Sequence, residues 1–334
     1  MKYSDIDFNN KNILITGGAG FIGSNLALYL QSNYPNANII IFDCFRNDEL
    51  LSNGNLLSYG HYKNLIGFKG EVICGNINNK DDLEALNKYN FDFIFHQAAI
   101  SDTRAYNQEL VMRTNVNSFH DLLKIAKKHQ AAMIYASSAA TYGSLPSPQE
   151  VGTESPENPY GYSKLLMDRI ASRFANENPN ISIVGLRFFN VYGPGEFYKA
   201  KTSSMVIQLG HQILNNTSPR LFENSNKILR DFIFIEDVVQ ANIKACNPKN
   251  NGIYNVGTGS PRSFKDIVDI LQKELDTKLS IEYFPNPYDG YQLNTQADIT
   301  STTENLCYEP YFSLEKGIQS YLPEIKRLYG LDDQ

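Results

Sequence analysis

Tyr160 and Lys164 stand four residues apart in the string Tyr160-Gly161-Tyr162-Ser163-Lys164. On a helix that spacing brings both side chains to one face. An ammonium beside a phenol favours the tyrosinate and lowers the tyrosine pKa from about 10. A tyrosine so placed is a candidate to take a proton from a hydroxyl while hydride leaves the same carbon. Neighbouring Tyr162 has Leu166 four residues on and lacks such a partner. The Tyr–Lys pair alone is also what an amphipathic helix start carries, so it needs company. Ser138 supplies some. It follows the apolar run Ala132–Ser137, and a hydroxyl at the carboxyl end of a parallel strand faces the ligand crevice, where it can donate to a reacting oxygen. Its plainer use is a polar cap on the strand end.

A second group of residues suits a dinucleotide. Gly17, Gly20 and Gly23 follow a GxxGxxG spacing between a strand-like run, Asn12–Thr16, and a helical one, Phe21–Ser32. The first glycine permits the tight turn, the second lets backbone approach a pyrophosphate, and the third lets helix and strand pack closely. The helix N-terminus then offers free N–H groups and a partial positive charge to phosphates. Asp43 lies 20 residues beyond Gly23 at the end of the next strand-like run, where a carboxylate can accept from a ribose. Asp43 favours NAD. Arg46, three residues on, can instead neutralise the 2′-phosphate of NADP or simply be a solvated loop charge.

These groups need a frame. Apolar runs at Asn12–Thr16, Asn38–Asp43, Glu71–Gly75, Phe91–His96, Ala132–Ser137 and Ser182–Phe188 alternate with helical stretches, including Leu110–Lys128 and Tyr160–Ala175. Continuous rather than alternating apolar strands imply a sheet covered on both faces. Strand–helix alternation implies right-handed crossovers and a Rossmann-type, doubly wound α/β parallel sheet. After Asn190 the pattern loosens. The expected organisation is a dinucleotide-binding domain over 1–190 and a smaller C-terminal α/β substrate lobe over 191–227 and 259–334. Segments within about 228–258, at Ile228–Val238 and Gly252–Asn255, return as strands to the main sheet.

Composition narrows the class. The 334 residues are 42% hydrophobic and 20% charged, ample for a core, and the net charge of −6 argues against a non-specific nucleic-acid binder. No apolar run approaches a membrane span, and the polar start MKYSDIDFNNK reads as no signal peptide. Four dispersed cysteines without a CxxC pair, and five histidines without ligand spacing, offer no metal cage and no disulfide framework. A reducing cytoplasm is the expected compartment.

The glycine turn together with Ser138, Tyr160 and Lys164 resembles the extended short-chain dehydrogenase/reductase superfamily of nucleotide-sugar epimerases and dehydratases. The strings YASSAATYG (135–143), PYGYSK (159–164), RFFNVYGPGEFYK (187–199), SPRLFENS (218–225), RDFIFIEDV (230–238) and YQLNTQADIT (291–300) resemble its ADP-L-glycero-D-manno-heptose 6-epimerase family, from about residue 12 to 325. The resemblance implies an isomerase that interconverts the C6 epimers of ADP-glycero-β-D-manno-heptose for the lipopolysaccharide inner core. It implies NADP, with NAD possible, held tightly at one per subunit, and a homo-oligomer, in this family a pentamer. It places Phe21 and Ile22 on the pyrophosphate, and Asp43 and Cys44 on the adenosine ribose. Gln97, Ala98, Ala99, Ile100 and Ser101 would line the cofactor, with Asn115 and Val191 nearby, and Lys164 would hold the nicotinamide ribose.

By the same resemblance Tyr160 and Lys199 are the two acid/base groups. Asn190, Ser204, His211, Phe222, Glu223, Ser225, Arg230 and Tyr291 match substrate positions. Read without the family, Lys199 is a surface lysine beside Lys201, Arg230 an ion-pair partner of Asp231, and His211 and Phe222 ordinary packing residues. Gly195 stands where the family often has Arg, and Cys44 where Asn is common. Other chemistries use this scaffold: 4-epimerisation of a hexose, 4,6-dehydration, or oxidation of the sugar. A dehydratase is expected to carry Asp-Glu near the strand-end serine, where this chain has Ala139-Ala140. A redox-inert dinucleotide sensor would have no use for the intact Ser138, Tyr160 and Lys164.

Overall fold

The computed structural model describes residues 2–286 and 292–331. Seven parallel strands form the central sheet: β1 (Asn12–Thr16), β2 (Asn38–Asp43), β3 (Glu71–Cys74), β4 (Phe93–His96), β5 (Ala132–Ser138), β6 (Ile183–Phe188) and β7 (Gly252–Val256). Their spatial order is β7-β6-β5-β4-β1-β2-β3, so the winding reverses between β1 and β4. Register is continuous: Ile15 lies beside Ile41 on one side and Phe95 on the other. Ligands in such sheets bind at the carboxyl ends of the strands beside the reversal, which here are Thr16 and His96.

The absence of polar alternation in the strands has the expected cause. In β1, Ile13 and Ile15 pack into one core and Leu14 into another, on the opposite face of the sheet. Both faces are covered, among others by α1 (Phe21–Asn33), α2 (Ser118–His129) and α3 (Pro159–Glu177). The stretch expected as one helix over Leu110–Lys128 is helical from Gln108 to His129, with a wider π turn at Arg113–Asn117. That turn buries Asn115 completely and is held by its side chain, as described below.

The downstream helices include α4 (Met205–Leu214), α5 (Ile235–Lys244), α6 (Phe264–Glu274) and α7 (Leu314–Leu328). Gly252–Val256 joins the main sheet against β6, as expected of that segment. Ile228–Val238 does not, and the expectation is corrected. It divides into two short strands and the start of α5. Leu229–Arg230 pairs antiparallel with Arg262–Ser263, and Phe232–Phe234 pairs parallel with Asn190–Tyr192. The edge beside β6 is taken by β7, and buried Asp231 breaks the run between the two strands. Its carboxylate accepts from Thr258, Gly259 and Ala297 backbone N–H groups at 2.7–2.9 Å. Glu236 and Asp237 in the next turn favour a helix N-terminus.

Candidate active site

A cleft of about 810 Å³ opens at the carboxyl ends of β1 and β4 and extends to Arg230 and Phe264. Its floor is the glycine turn. Gly17 has φ +68°, and a Cβ there would lie 2.6 Å from the Ala98 backbone nitrogen. Gly23 sits against Gly17 so closely that a Cβ would lie 2.3 Å from the Gly17 carbonyl oxygen. Gly20, the N-cap of α1, has no side chain to satisfy the first helical N–H groups. A Cβ on Gly20 would meet only Gly17 O, at 3.2 Å. These N–H groups face the cleft and suit a pyrophosphate.

Asp43 closes the turn from the side. Its carboxylate accepts from Ala19 N–H at 2.9 Å and Phe45 N–H at 2.8 Å, so it anchors the turn while lining the cleft. Burial pushes its pKa up against those two bonds. Cys44 lines the cleft and donates to the Ser58 hydroxyl at 3.3 Å. Gln97, Ala98, Ala99, Ile100, Ser101 and Val191 also line it. Arg46 and Asn115 do not. Arg46 lies in the loop after β2, its N–H donating to Gly60 O at 2.6 Å. Asn115 is a tie beneath the site rather than a wall of it. It accepts from Ile100 N–H at 2.9 Å and donates to Ile100 O at 3.0 Å and to the Ser163 hydroxyl at 2.9 Å. It thereby couples the loop after β4 to the helix that carries Tyr160.

That helix, α3, starts where the sequence says it should. Asn158 accepts from Gly161 N–H at 2.8 Å, and Pro159 takes the first helical position. A Cβ on Gly161 would lie 2.3 Å from Ala140 O, so glycine lets the helix start close onto the turn after Ser138. Tyr160 and Lys164 both point into the cleft, whereas Tyr162 is exposed. The Ser138 hydroxyl accepts from Ala140 N–H at 3.1 Å and also bonds the Tyr160 phenol, so cap and partner are the same atom.

The Tyr160 phenol is held between two opposing influences. Burial pushes the phenol up, and the bond to Ser138 only partly opposes it. The Lys164 ammonium donates to Ala136 O at 2.7 Å and stands 5.9 Å from the Tyr160 ring centroid, and it is itself pushed down to about 8 by burial, against the pull of Asp168. Asp168 belongs to a buried support below the site, accepting from Tyr135 at 2.9 Å, Ser137 at 3.0 Å and Arg187 at 2.9 Å. One consequence is measurable in the dinucleotide-free protein. A lysine whose folded pKa is near 8, against about 10.4 in the unfolded chain, weakens the fold fully below pH 8. That penalty fades as pH rises from about 8 to 10.4. Chemical denaturation is therefore expected to show wild type gaining stability relative to Lys164→Met across that window; parallel pH curves would contradict it.

The other acid/base candidate reaches the cleft from elsewhere. Lys199 is not a free surface lysine. It is half-buried, lines the cleft, and holds its ammonium 5.7 Å from the Phe21 ring centroid. Asn190, Ser204 and Arg230 also line the cleft. Arg230 does not pair with Asp231. Its guanidinium donates to Leu229 O at 2.8 Å and Gln292 O at 2.5 Å, and stands 6.0 Å from the Phe264 ring centroid.

Four expected substrate residues lie off the cleft wall. His211, on α4, bonds Ile325 O at 3.0 Å through Nε2 and packs edge-on against Phe197 and Tyr329. Phe222 packs on Phe284 in a small two-stranded sheet, and Glu223 is exposed beside it. Ser225 is buried with an unpartnered hydroxyl. Tyr291 lies outside the described residues. The cleft also uses residues that no motif marked, among them Tyr59, Arg113, Ser203 and Phe264. Among the described residues no group of His, Cys, Asp and Glu could hold a metal ion, and no helix is long and apolar enough to cross a membrane.

The glycine cradle, the open helix N-terminus and the facing Ser138, Tyr160 and Lys164 fit a nicotinamide dinucleotide. Residues 13–257 match the NAD dependent epimerase/dehydratase family, and the chain belongs to it. An ADP-L-glycero-D-manno-heptose-6-epimerase of Brachyspira hyodysenteriae is 35% identical over 325 residues, covering 95% of this chain and 99% of the relative. The crystal structure of the Helicobacter pylori ADP-L-glycero-D-manno-heptose-6-epimerase superposes with a TM-score of 0.89 at 50% identity, over 98% of this chain and 99% of that one. A UDP-glucose 4-epimerase of Thermotoga maritima, solved with UDP-glucose, gives 0.84 at 26% identity, over 95% and 99%.

Proposed function

We propose that this chain interconverts ADP-D-glycero-β-D-manno-heptose and its L-glycero epimer at C6, in the supply of heptose for the lipopolysaccharide inner core. The observation that carries this is the presence of two protic groups, Tyr160 and Lys199, on one cleft beside the dinucleotide cradle. C6 of the heptose is exocyclic. Inversion there needs a planar C6 ketone, rotation about C5–C6 and attack on the other face, so O6 loses its proton in one pose and regains it in another. A bound nicotinamide dinucleotide supplies the hydride acceptor and the returning hydride. Tyr160 serves one pose and Lys199 the other. Ser138 orients the Tyr160 phenol, Lys164 fixes the ribose end, and Arg230 clamps the diphosphate.

The resident dinucleotide is NADP, with NAD accepted. Both Asp43 oxygens already take backbone N–H groups, which weakens their hold on a free ribose 2′-hydroxyl. The chain works as a cytoplasmic homo-oligomer, with the pentamer as the expected assembly. Residues 1–190 with β7 bind the dinucleotide, and the remaining C-terminal segments bind the sugar nucleotide.

The test uses the purified holoenzyme. Denaturation releases its dinucleotide for identification, and NAD alone would overturn the NADP assignment. Incubation with ADP-D-glycero-β-D-manno-heptose, followed by anion-exchange separation of the C6 epimers, is expected to show conversion without net accumulation of reduced dinucleotide. No conversion, with turnover of UDP-galactose instead, would overturn the substrate assignment.

A further inference from the structure

Lys199 sits on a strap that follows the short strand Asn190–Tyr192 and packs against α1 and His61. Pro194 O accepts from Asn25 at 2.8 Å, and the Tyr198 ring stacks on His61 at 4.0 Å. One side chain gathers both ends of this strap. Glu196 is completely buried. One of its carboxylate oxygens accepts from Gly193 N–H at 3.1 Å and from the Ser204 hydroxyl at 2.7 Å. The other accepts from Ser204 N–H at 2.6 Å. Its backbone carbonyl accepts from Lys199 N–H at 3.0 Å. The next residue, Ala200, is held at φ 53°, ψ −127°, a conformation that L side chains rarely adopt. Strain of that kind persists only where surrounding contacts over-determine it, and it gathers at functional groups.

We propose that Glu196 is a positioning residue for Lys199: it clasps Gly193 to Ser204, holds the strained turn that presents the amine to the cleft, and supplies the anionic charge the amine faces. The proposal rests on the reading of Lys199 as the second acid/base group. Burial pushes the Lys199 ammonium below its ordinary value, and the charges of Glu196 and Asp102 oppose that push. Burial raises Glu196 in turn, and Lys199 and the Ser204 donors pull it back. The other ionisable groups facing Glu196 are the phenols of Tyr192 and Tyr321, which burial keeps neutral. Asp102, in the loop after β4, is engaged by Asn53, Asn55 and Arg104. Removing the charge at position 196 leaves Asp102 as the remaining anion, so the amine gives up its proton at lower pH.

The experiment reads Lys199 directly. Wild-type, Glu196→Gln and Glu196→Asp holoenzymes are pulse-acetylated over a pH series, and modification of Lys199 is followed by mass spectrometry, with kcat and KM measured on the same preparations. In Glu196→Gln the Lys199 midpoint is expected to fall by about one pH unit. With it, kcat falls about tenfold to a hundredfold at little-changed KM. An unmoved midpoint overturns the proposal, whatever happens to stability. Should Glu196→Gln fail to fold, Glu196→Asp carries the test. Its shorter arm cannot span Gly193 and Ser204 together, so kcat falls about tenfold; a wild-type kcat overturns the proposal. Lys199→Met separates the two readings. Wild-type turnover in that variant removes the second-base assignment, while the acetylation midpoint still reports on Glu196.

Discussion

Tyr160→Phe is expected to retain its dinucleotide and fold while losing about 10³-fold or more in turnover, near the upper range for removal of a positioned acid/base group. The ring stays, so the buried site keeps its packing. Only the phenol oxygen and its bond to Ser138 are lost. Ser138 keeps its bond to Ala140 N–H, so the cost to stability is about 0.5–1.5 kcal/mol. Lys164 donates to Ala136 O rather than to the phenol, so its place does not depend on the missing oxygen. The fold, cofactor content and chemistry therefore separate cleanly in one variant. Turnover is measured by separation of C6 epimers, and dinucleotide content by release on denaturation. Activity within tenfold of wild type would refute the role given to Tyr160. Loss of the dinucleotide together with activity would show instead that the side chain builds the cradle.

Gly23→Ala is expected to be nearly as damaging by another route. The new methyl would lie 2.3 Å from Gly17 O and 2.8 Å from Gly18 Cα, both backbone atoms that no rotamer change can move. α1 must then lift from the turn, at an overpacking cost of about 1–3 kcal/mol or more. Its N-terminal N–H groups lift with it, so dinucleotide affinity is expected to drop about a hundredfold alongside a lower Tm. Gly20→Ala provides the contrast. Its methyl meets one carbonyl, at 3.2 Å, and otherwise projects where phosphate would sit. That variant is expected to melt close to wild type yet bind dinucleotide weakly. Calorimetric melting and fluorescence titration of dinucleotide check both. A wild-type Tm and affinity in Gly23→Ala would refute the close packing on which the cradle depends.

The part of the site that sequence made legible is local. Gly17, Gly20 and Gly23, the helical run expected from Tyr160 and the Tyr160–Lys164 spacing each act within a few residues, where backbone geometry follows from residue type. The sheet was legible for a related reason. Strands buried on both faces must be apolar throughout, as β1 is, and that pattern survives whatever packs against it. The small strands of the C-terminal half carry no such pattern. Ile228–Val238 has the composition of a sheet strand, yet Asp231 and its distant partners Thr258, Gly259 and Ala297 break it.

Residue type and short spacing thus pointed to the sheet, the glycine turn and the Tyr160–Lys164 pair. Long-range contacts settled the rest. Asp43 became an anchor of the phosphate turn through Ala19, Asn115 a tie between two loops, and His211 a partner of Ile325 away from the cleft. Lys199 reaches the cleft on a strap whose two ends, Gly193 and Ser204, are both bonded by the Glu196 carboxylate. The physical reason is that burial and charge proximity depend on atoms far apart in the chain, and those quantities set what an ionisable side chain can do.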